Sequence, residues 1–507
     1  MADLISGFHL LATPAVLFAL LIGSIGGVII GAIPGVGAAV AIAILLPATF
    51  SMEPIVGLTM LLGIYGSSMY GGSLPAILIN TPGTAVNALT TYDGHPMTKR
   101  GEALRALGLA YGASFTGGIL SILALILLSP VLAKVAPMFG SREIFLAALL
   151  GVVLVVIAHR GQTFAAGSLA AFGILLSTIG LEPVRYTQRY TFGLDFLSSG
   201  VDLIVVVLGL FALSQGFLLA SRPDETPTGG RVTGNMFRAM TGVFRHKRIV
   251  GAGSGIGVIM GMIPGVGEFT AQFLTYTYAQ KTSKTPEAFG NGSPEGLVAS
   301  ESANNAVPAA AMIPLLALGI PGEALTAMML AVFYVHNVVP GPGLFQNDID
   351  FVYALYMAML LLNILVVVFV GLSSNLLMRV IRIPTRFLGV AILTLGFVGV
   401  YSLRNSITDC ALAAGFGMMG LVLKRQNLPT VPIILGMVLG GIMEVKLRAS
   451  MARVKTPLDF VDRPIAAILA SAIVLLIVLH IWGVIREARS KSPEDSHDHD
   501  IHNSQQG

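Results

Sequence analysis

One stretch of this chain occurs twice, and it constrains the fold more than any other. Residues 23–37 read GSIGGVIIGAIPGVG and residues 253–267 read GSGIGVIMGMIPGVG, identical at eleven of fifteen positions with an offset of 230. Both copies end in the same turn, Pro34-Gly35-Val36-Gly37 and Pro264-Gly265-Val266-Gly267. Proline removes a backbone donor and clashes with a continuing helix. Glycine admits positive φ and close approach. Each copy is therefore expected to break a helix inside an apolar stretch. Broken backbone at membrane depth survives only where it is buried in protein or lines a cavity. Its freed amides make a seat for an anion. A single copy would read more simply as a kinked, closely packed helix. Two matched copies point to a binding site built by both halves.

Composition places the chain in a membrane. Hydrophobic residues make up 54% and charged residues 11%, where soluble chains carry about 25% charged; mean hydropathy is +0.82. The apolar runs 11–33, 106–133, 143–158, 201–220, 351–379 and 464–482 are long enough, or nearly so, to cross a core of about 30 Å. The alternation of an outer-membrane barrel is absent. The fold class is thus an all-α polytopic membrane protein. The net charge of +4 is modest and its basic residues sit in short loops. That is membrane topology rather than a nucleic-acid surface. Cys410 is the only cysteine, which excludes disulfides and cysteine-based metal sites. The start, MADLISGF, has no basic segment, so the first helix is expected to act as an uncleaved insertion signal. No Walker A pattern, HExxH or nucleophile–base pair is present. The chain reads as no enzyme and needs no metal or organic cofactor.

Residues 221–248 are polar and end in Arg245, Lys247 and Arg248. They read as a basic linker between a first transmembrane repeat, 1–220, and a second, 249–486. The tail 487–507 holds His497, His499 and His502 and reads as a solvated end. Other matches support a complete duplication. Pro75 and Pro82-Gly83 correspond to Pro314 and Pro321-Gly322 with an offset of 239; Arg142, Arg160 and Phe172-Gly173 correspond to Arg386, Arg404 and Phe416-Gly417 with an offset of 244. His95, Lys99, Arg100 and Arg105 follow the first Pro-Gly tip, whereas no Lys or Arg stands between 323 and 378 after the second. Opposite charge bias predicts opposite sides of the membrane, hence two inverted-topology repeats with broken helices and re-entrant hairpins.

Several residues could carry chemistry. Asn80, Thr81, Pro82, Gly83 and Thr84 form one tip, and Gly319, Ile320, Pro321 and Gly322 its mate. Ser67 and Ser73 precede the first tip, where small-residue packing competes with a ligand role. Glu301, Asn304 and Asn305 form a polar cluster read as the start of a helix, with Ser300 as its cap and Glu301 in its first turn. Capping leaves the two amides unexplained, and amides there can hold a cation or a carboxylate. Glu268 and Gln272 share one helical face just after the second Pro-Gly-Val-Gly. The first copy has Ala38 and Ile42 there, so the half-sites are chemically unequal. Asp93 reads as turn chemistry. Arg160 and Arg404 read as helix ends.

Together, GAIPGVG (31–37), YGGSLPAILINTPGTA (70–85), YDGHPM (92–97), GMIPGVGEF (261–269), ESANNAV (301–307), LALGIPG (316–322) and ILGMVLGGIMEVKLR (434–448) resemble the large membrane subunit of the tripartite tricarboxylate transporter family. The resemblance covers about residues 10–460. Ser300 departs from it, standing where the family usually has proline. The resemblance implies a secondary transporter of the bacterial inner membrane that imports a carboxylate, driven by a sodium ion or proton. It implies a small four-helix membrane subunit and a periplasmic solute-binding protein as partners, with lipid around the chain. By position it implies substrate contacts at Pro34, Gly35, Gly37, Asn80, Thr81, Pro82, Gly83, Thr84, Pro264, Gly265, Gly267, Gly319, Pro321 and Gly322. Glu268, Glu301, Asn304 and Asn305 are the ion-coupling candidates. The rival reading is an ion channel or a structural membrane subunit.

Overall fold

The computed structural model describes residues 2–159, 161–182, 186–221, 234–380, 384–452 and 456–490. The first half runs α1 (Ala2–Leu11), α2 (Pro14–Gly31), α3 (Gly37–Thr49), α4 (Pro54–Ile79), α5 (Ala88–Lys99), α6 (Ala103–Val135), α7 (Ser141–Ala158), α8 (Thr163–Ser177), α9 (Leu203–Val207) and α10 (Ser214–Ser221), with a π-helical stretch joining the last two. The second runs α11 (Met236–Met240), α12 (Lys247–Met262), α13 (Gly267–Thr282), α14 (Pro294–Leu318), α15 (Ala324–Val335), α16 (Pro342–Asn347), α17 (Ile349–Val380), α18 (Thr385–Arg404), α19 (Ile407–Arg425), α20 (Val431–Met451) and α21 (Pro464–Ser490). Gly180–Leu181 and Gln188–Arg189 pair as a short antiparallel ribbon. The protein is an all-α polytopic membrane protein. Among the described residues eight helices are long and apolar enough to cross a membrane. Part of the linker, 222–233, and the tail histidines lie outside the described residues, as does Arg160. The end of the linker is helical: α11 packs on α6.

Glycine spacing sets the tightest contacts. Gly23, Gly27 and Gly31 stand four apart and so share one face of α2. A Cβ at each would overlap Met60, Ile64 or Ser68 of α4. In α12, Gly253, Gly257 and Gly261 meet Ala299, Ala303 and Val307 of α14 in the same way. The partners in the two halves are related by the offset of 239 seen between the Pro-Gly tips. Close backbone approach of this kind is how helices associate where lipid is as apolar as the side chains. The paired helices α4 and α14 are almost wholly buried. At the other extreme α21 packs mainly on α7 and exposes Ile468, Val474, Leu475, Val478 and Trp482, a surface suited to lipid.

Candidate functional site

Both Pro-Gly-Val-Gly runs break their helices. α2 ends at Gly31 and α3 begins at Gly37; α12 ends at Met262 and α13 begins at Gly267. Gly35 and Gly37 have φ of +80° and +67°, and Gly265 and Gly267 have +85° and +68°. Only glycine takes these angles without strain. The second break comes at the tips. Asn80 ends α4 at φ 56° and Gly319 ends α14 at φ 70°. Turn and tip are then joined: the Gly35 amide donates to the Gly83 carbonyl at 2.9 Å, and the Gly265 amide to the Gly322 carbonyl at 2.6 Å. The structure thus brings Pro34–Gly37 to Gly83 and Thr84, and Pro264–Gly267 to Pro321 and Gly322.

The two cradles differ in exposure. Asn80 and Thr81 lie exposed at the first tip, and the Thr81 hydroxyl bonds its own neighbour, the Ile79 carbonyl. Gly319 to Gly322 are buried under Pro340 and Gly341. They also differ in charge. The residue after Gly83 is Thr84, whose hydroxyl donates to Asn87. The residue after Gly322 is Glu323, whose amide donates to the Thr326 hydroxyl at 2.9 Å. Glu323 is buried, in hydrogen-bond contact with the Glu268 carboxyl. It also accepts the Tyr65 hydroxyl from the first half. Sequence reasoning missed Glu323 because its mate in the first half is a threonine. The signal that could have found it is its place directly after the second Pro-Gly.

Glu301 occupies another position than expected. α14 starts at Ser293, which accepts from the Gly296 amide at 3.2 Å, followed by Pro294 and Glu295 in the first turn. That is a strong start: a capping hydroxyl, proline at the first position and an early acid. Ser300 and Glu301 therefore lie inside the helix, and Ser300 bonds back to the Gly296 and Leu297 carbonyls. The Glu301 carboxyl accepts from Ser73 at 2.8 Å, Thr90 at 2.6 Å and Ser114 at 2.9 Å. Its partners come from α4, α5 and α6, so Glu301 ties the two halves together. Asp93 is likewise no turn residue. It lies within α5, and its carboxylate accepts the amides of Gly290, Gly292 and Ser293 and the Tyr276 hydroxyl, all at 2.7 to 2.9 Å. Arg404 does mark a helix end, where it holds Asp409 at 2.8 Å.

Other buried polar groups find no partner. Both amide atoms of Asn304 and of Gln272, the Asn305 nitrogen, the Ser67 hydroxyl and one Glu268 oxygen make no hydrogen bond. α13 and α14, which carry all but Ser67, pack directly on each other. Unpaired buried polar groups cost about 1–3 kcal/mol each. Apolar side chains at these places would hold the fold better, so these atoms suit contacts to something other than the protein.

Fold and interior define a multi-pass helical membrane protein whose helices break within its core. The model of the tripartite tricarboxylate transporter TctA family matches residues 17–435, and the chain belongs to that family. It is therefore a membrane subunit of a transporter system that also uses another membrane subunit and a periplasmic binding subunit. Two proteins of Agrobacterium vitis are similar. An uncharacterised 52.8 kDa protein of the TAR-I ttuC' 3' region is 33% identical over 496 residues, 97% of this chain and 99% of the relative. An uncharacterised protein of the TAR-II ttuC' 3' region is 33% identical over 236 residues, 46% of this chain and 98% of the relative. No solved structure matches the chain.

Proposed function

We propose that the chain is the carrier subunit of a secondary importer in the bacterial inner membrane. It takes a tricarboxylate or similar organic acid from a periplasmic binding protein, and a small four-helix subunit assembles beside it. The observation that carries this reading is the group of unpartnered buried amides, Gln272, Asn304 and Asn305, on the two helices that meet at the second Pro-Gly cradle. A carboxylate binds to the amides at the starts of α3 and α13 and to these side chains. An ion gradient supplies the drive.

We read the two halves as inverted repeats. This is supported by the way α4 and α14 lie. Gly57 at the start of α4 meets His336 just past α15, Tyr65 meets Glu323 just before α15, and Ser73 near the end of α4 meets Glu301 in the first third of α14. Position rises along α4 as it falls through the second-half segment from His336 back to Glu301, the order an inverted pair gives. Alternating access then moves one repeat's elements against the other's.

The test is uptake of labelled citrate by cells expressing the chain with its two partner subunits. Saturable uptake that needs the binding protein and is lost in Pro34→Ala/Pro264→Ala and in Asn304→Ala supports the reading. Uptake that does not saturate, or that proceeds without the binding protein, marks a channel. Unchanged uptake in normally expressed variants marks a scaffold.

A further inference from the structure

The second cradle holds two acids where the first holds none. Glu268 opens α13 and Glu323 precedes α15; the matching first-half residues are Ala38 and Thr84. Both carboxyls are buried, at 5% and 6% exposure. They touch each other, and a Cβ on Gly267 would stand 3.8 Å from Glu323 Oε2. Tyr65 donates its O–H to Glu323. A hydrogen bond between two carboxyl groups needs a hydrogen, and ionised carboxylates only accept. Two like charges in contact and out of water repel strongly.

Among the described residues no basic side chain pairs with either carboxyl. α3 and α9, which pack on α15, carry no acidic or basic residue of their own. On α4 the only titratable neighbour is Tyr65, since Tyr70 is turned to Asn363. On α14, Glu301 faces Ser73, Thr90 and Ser114, and Glu295 faces Ser283. Glu444 and Arg448 of α20 pair with Arg189 and Glu182, and Tyr276 of α13 with Asp93. The remaining titratable groups on these elements are Lys446 on α20, Lys247 and Arg248 at the start of α12, Tyr278 and Lys281 late in α13, Glu287 before α14, and Tyr334 and His336 at the end of α15, and none forms a hydrogen bond or ion pair with either carboxyl.

A second, independent feature points the same way. Gln272 stands one turn after Glu268 on the same face, fully buried, with neither amide atom paired. Residues four apart share a helical face, and Glu268 likewise has one oxygen without a partner.

We propose that Glu268 and Glu323 hold one proton between them, and that this proton is the ion coupled to transport. When the second cradle faces the other side of the membrane, water reaches the pair and the proton leaves, with Gln272 and Tyr65 solvating the charge left behind. The coupling half of the proposal rests on the transport function proposed above; the shared proton does not.

The experiment is infrared difference spectroscopy of the purified chain in lipid nanodiscs. A carbonyl band of a protonated carboxyl is expected at neutral pH, shifted in heavy water. It should vanish in Glu268→Gln and in Glu323→Gln, and persist at a shifted frequency in Tyr65→Phe. Absence of the band at neutral pH, or its survival in both Gln variants, overturns the shared proton. So does thermal stabilisation of the chain by sodium chloride over choline chloride that is lost in both variants. In cells with the complete system, a pH gradient should drive accumulation of labelled citrate. Glu268→Gln should keep exchange of labelled for unlabelled citrate and lose accumulation. Accumulation that follows a sodium gradient alone overturns the coupling role. Because the infrared reading needs no substrate, failure of citrate uptake in the unaltered chain would count against the transport function and not against the proton.

Discussion

Glu301 Oε1 accepts the Ser73 hydroxyl at 2.8 Å, across 228 positions of sequence. The bond joins α4 of one half to α14 of the other, and two more hydroxyls complete the knot. A buried acceptor ringed by donors is costly to disturb. Glu301→Ala should lower stability by on the order of 3 kcal/mol, since bonds to charged groups contribute about 1.5–3 kcal/mol each and do not add fully. Glu301→Gln, which turns a donor toward hydroxyls, should fall between. Loss of folded protein with temperature, followed by size-exclusion chromatography in detergent, measures both. Equal stability of all three proteins would refute the knot.

Asp93 fixes the loop that starts α14. Asp93→Ala leaves three amides and one hydroxyl without their acceptor. A loss of about 3 kcal/mol is expected, against about 1 kcal/mol for Tyr276→Phe, which removes one bond. Hydrogen exchange should locate the loosening at residues 290–296. Protection unchanged there would contradict the geometry.

Glycine matters in α2 only on one face. A methyl group on Gly31 would meet the Ser68 carbonyl, whereas one on Gly26 meets nothing within 4 Å. Gly31→Ala should cost about 1–3 kcal/mol through overpacking. Gly26→Ala should be neutral or stabilising by up to about 1 kcal/mol, because glycine is a poor helix former. The pair can be compared by thermal denaturation in one detergent, and the reverse ranking would show that the α2–α4 contact is loose.

Asn304 should trade stability for function. It is fully buried with neither amide atom paired. Asn304→Leu keeps the branching at Cγ and removes the unpaired groups, so stability should rise by about 1 kcal/mol. Citrate uptake should fall to background. A variant that is less stable, or that transports normally, would show that the amide serves packing instead.

The sequence made the frame legible and hid the inequalities. The doubled Pro-Gly-Val-Gly announced two helix breaks because proline and glycine act locally, whatever surrounds them. Glu323 is hidden because the repeat marks residues that agree between the halves, and this one differs from its mate, Thr84. Asp93 looked like a turn beside Gly94 and Pro96, yet it is helical. Its partners lie almost 200 positions away, and no local rule sees them. Glu301 reads as a helix start because its polar cluster opens the apolar run toward Pro321 and Ser300 can cap it. The true start, Ser293-Pro294-Glu295, carried every capping cue. Hydroxyls from three other helices make the interior position tolerable, and only the folded chain brings them there.

The backbone bonds from Gly35 to Gly83 and from Gly265 to Gly322 have a mechanical meaning. Each ties a broken helix to the tip that follows it, so moving one without the other breaks a bond worth about 1 kcal/mol. Turn and tip thus form one jaw in each half. The first jaw travels with Thr84 and the second with Glu323. Two jaws of the same shape therefore bear different loads, and only the second carries titratable freight.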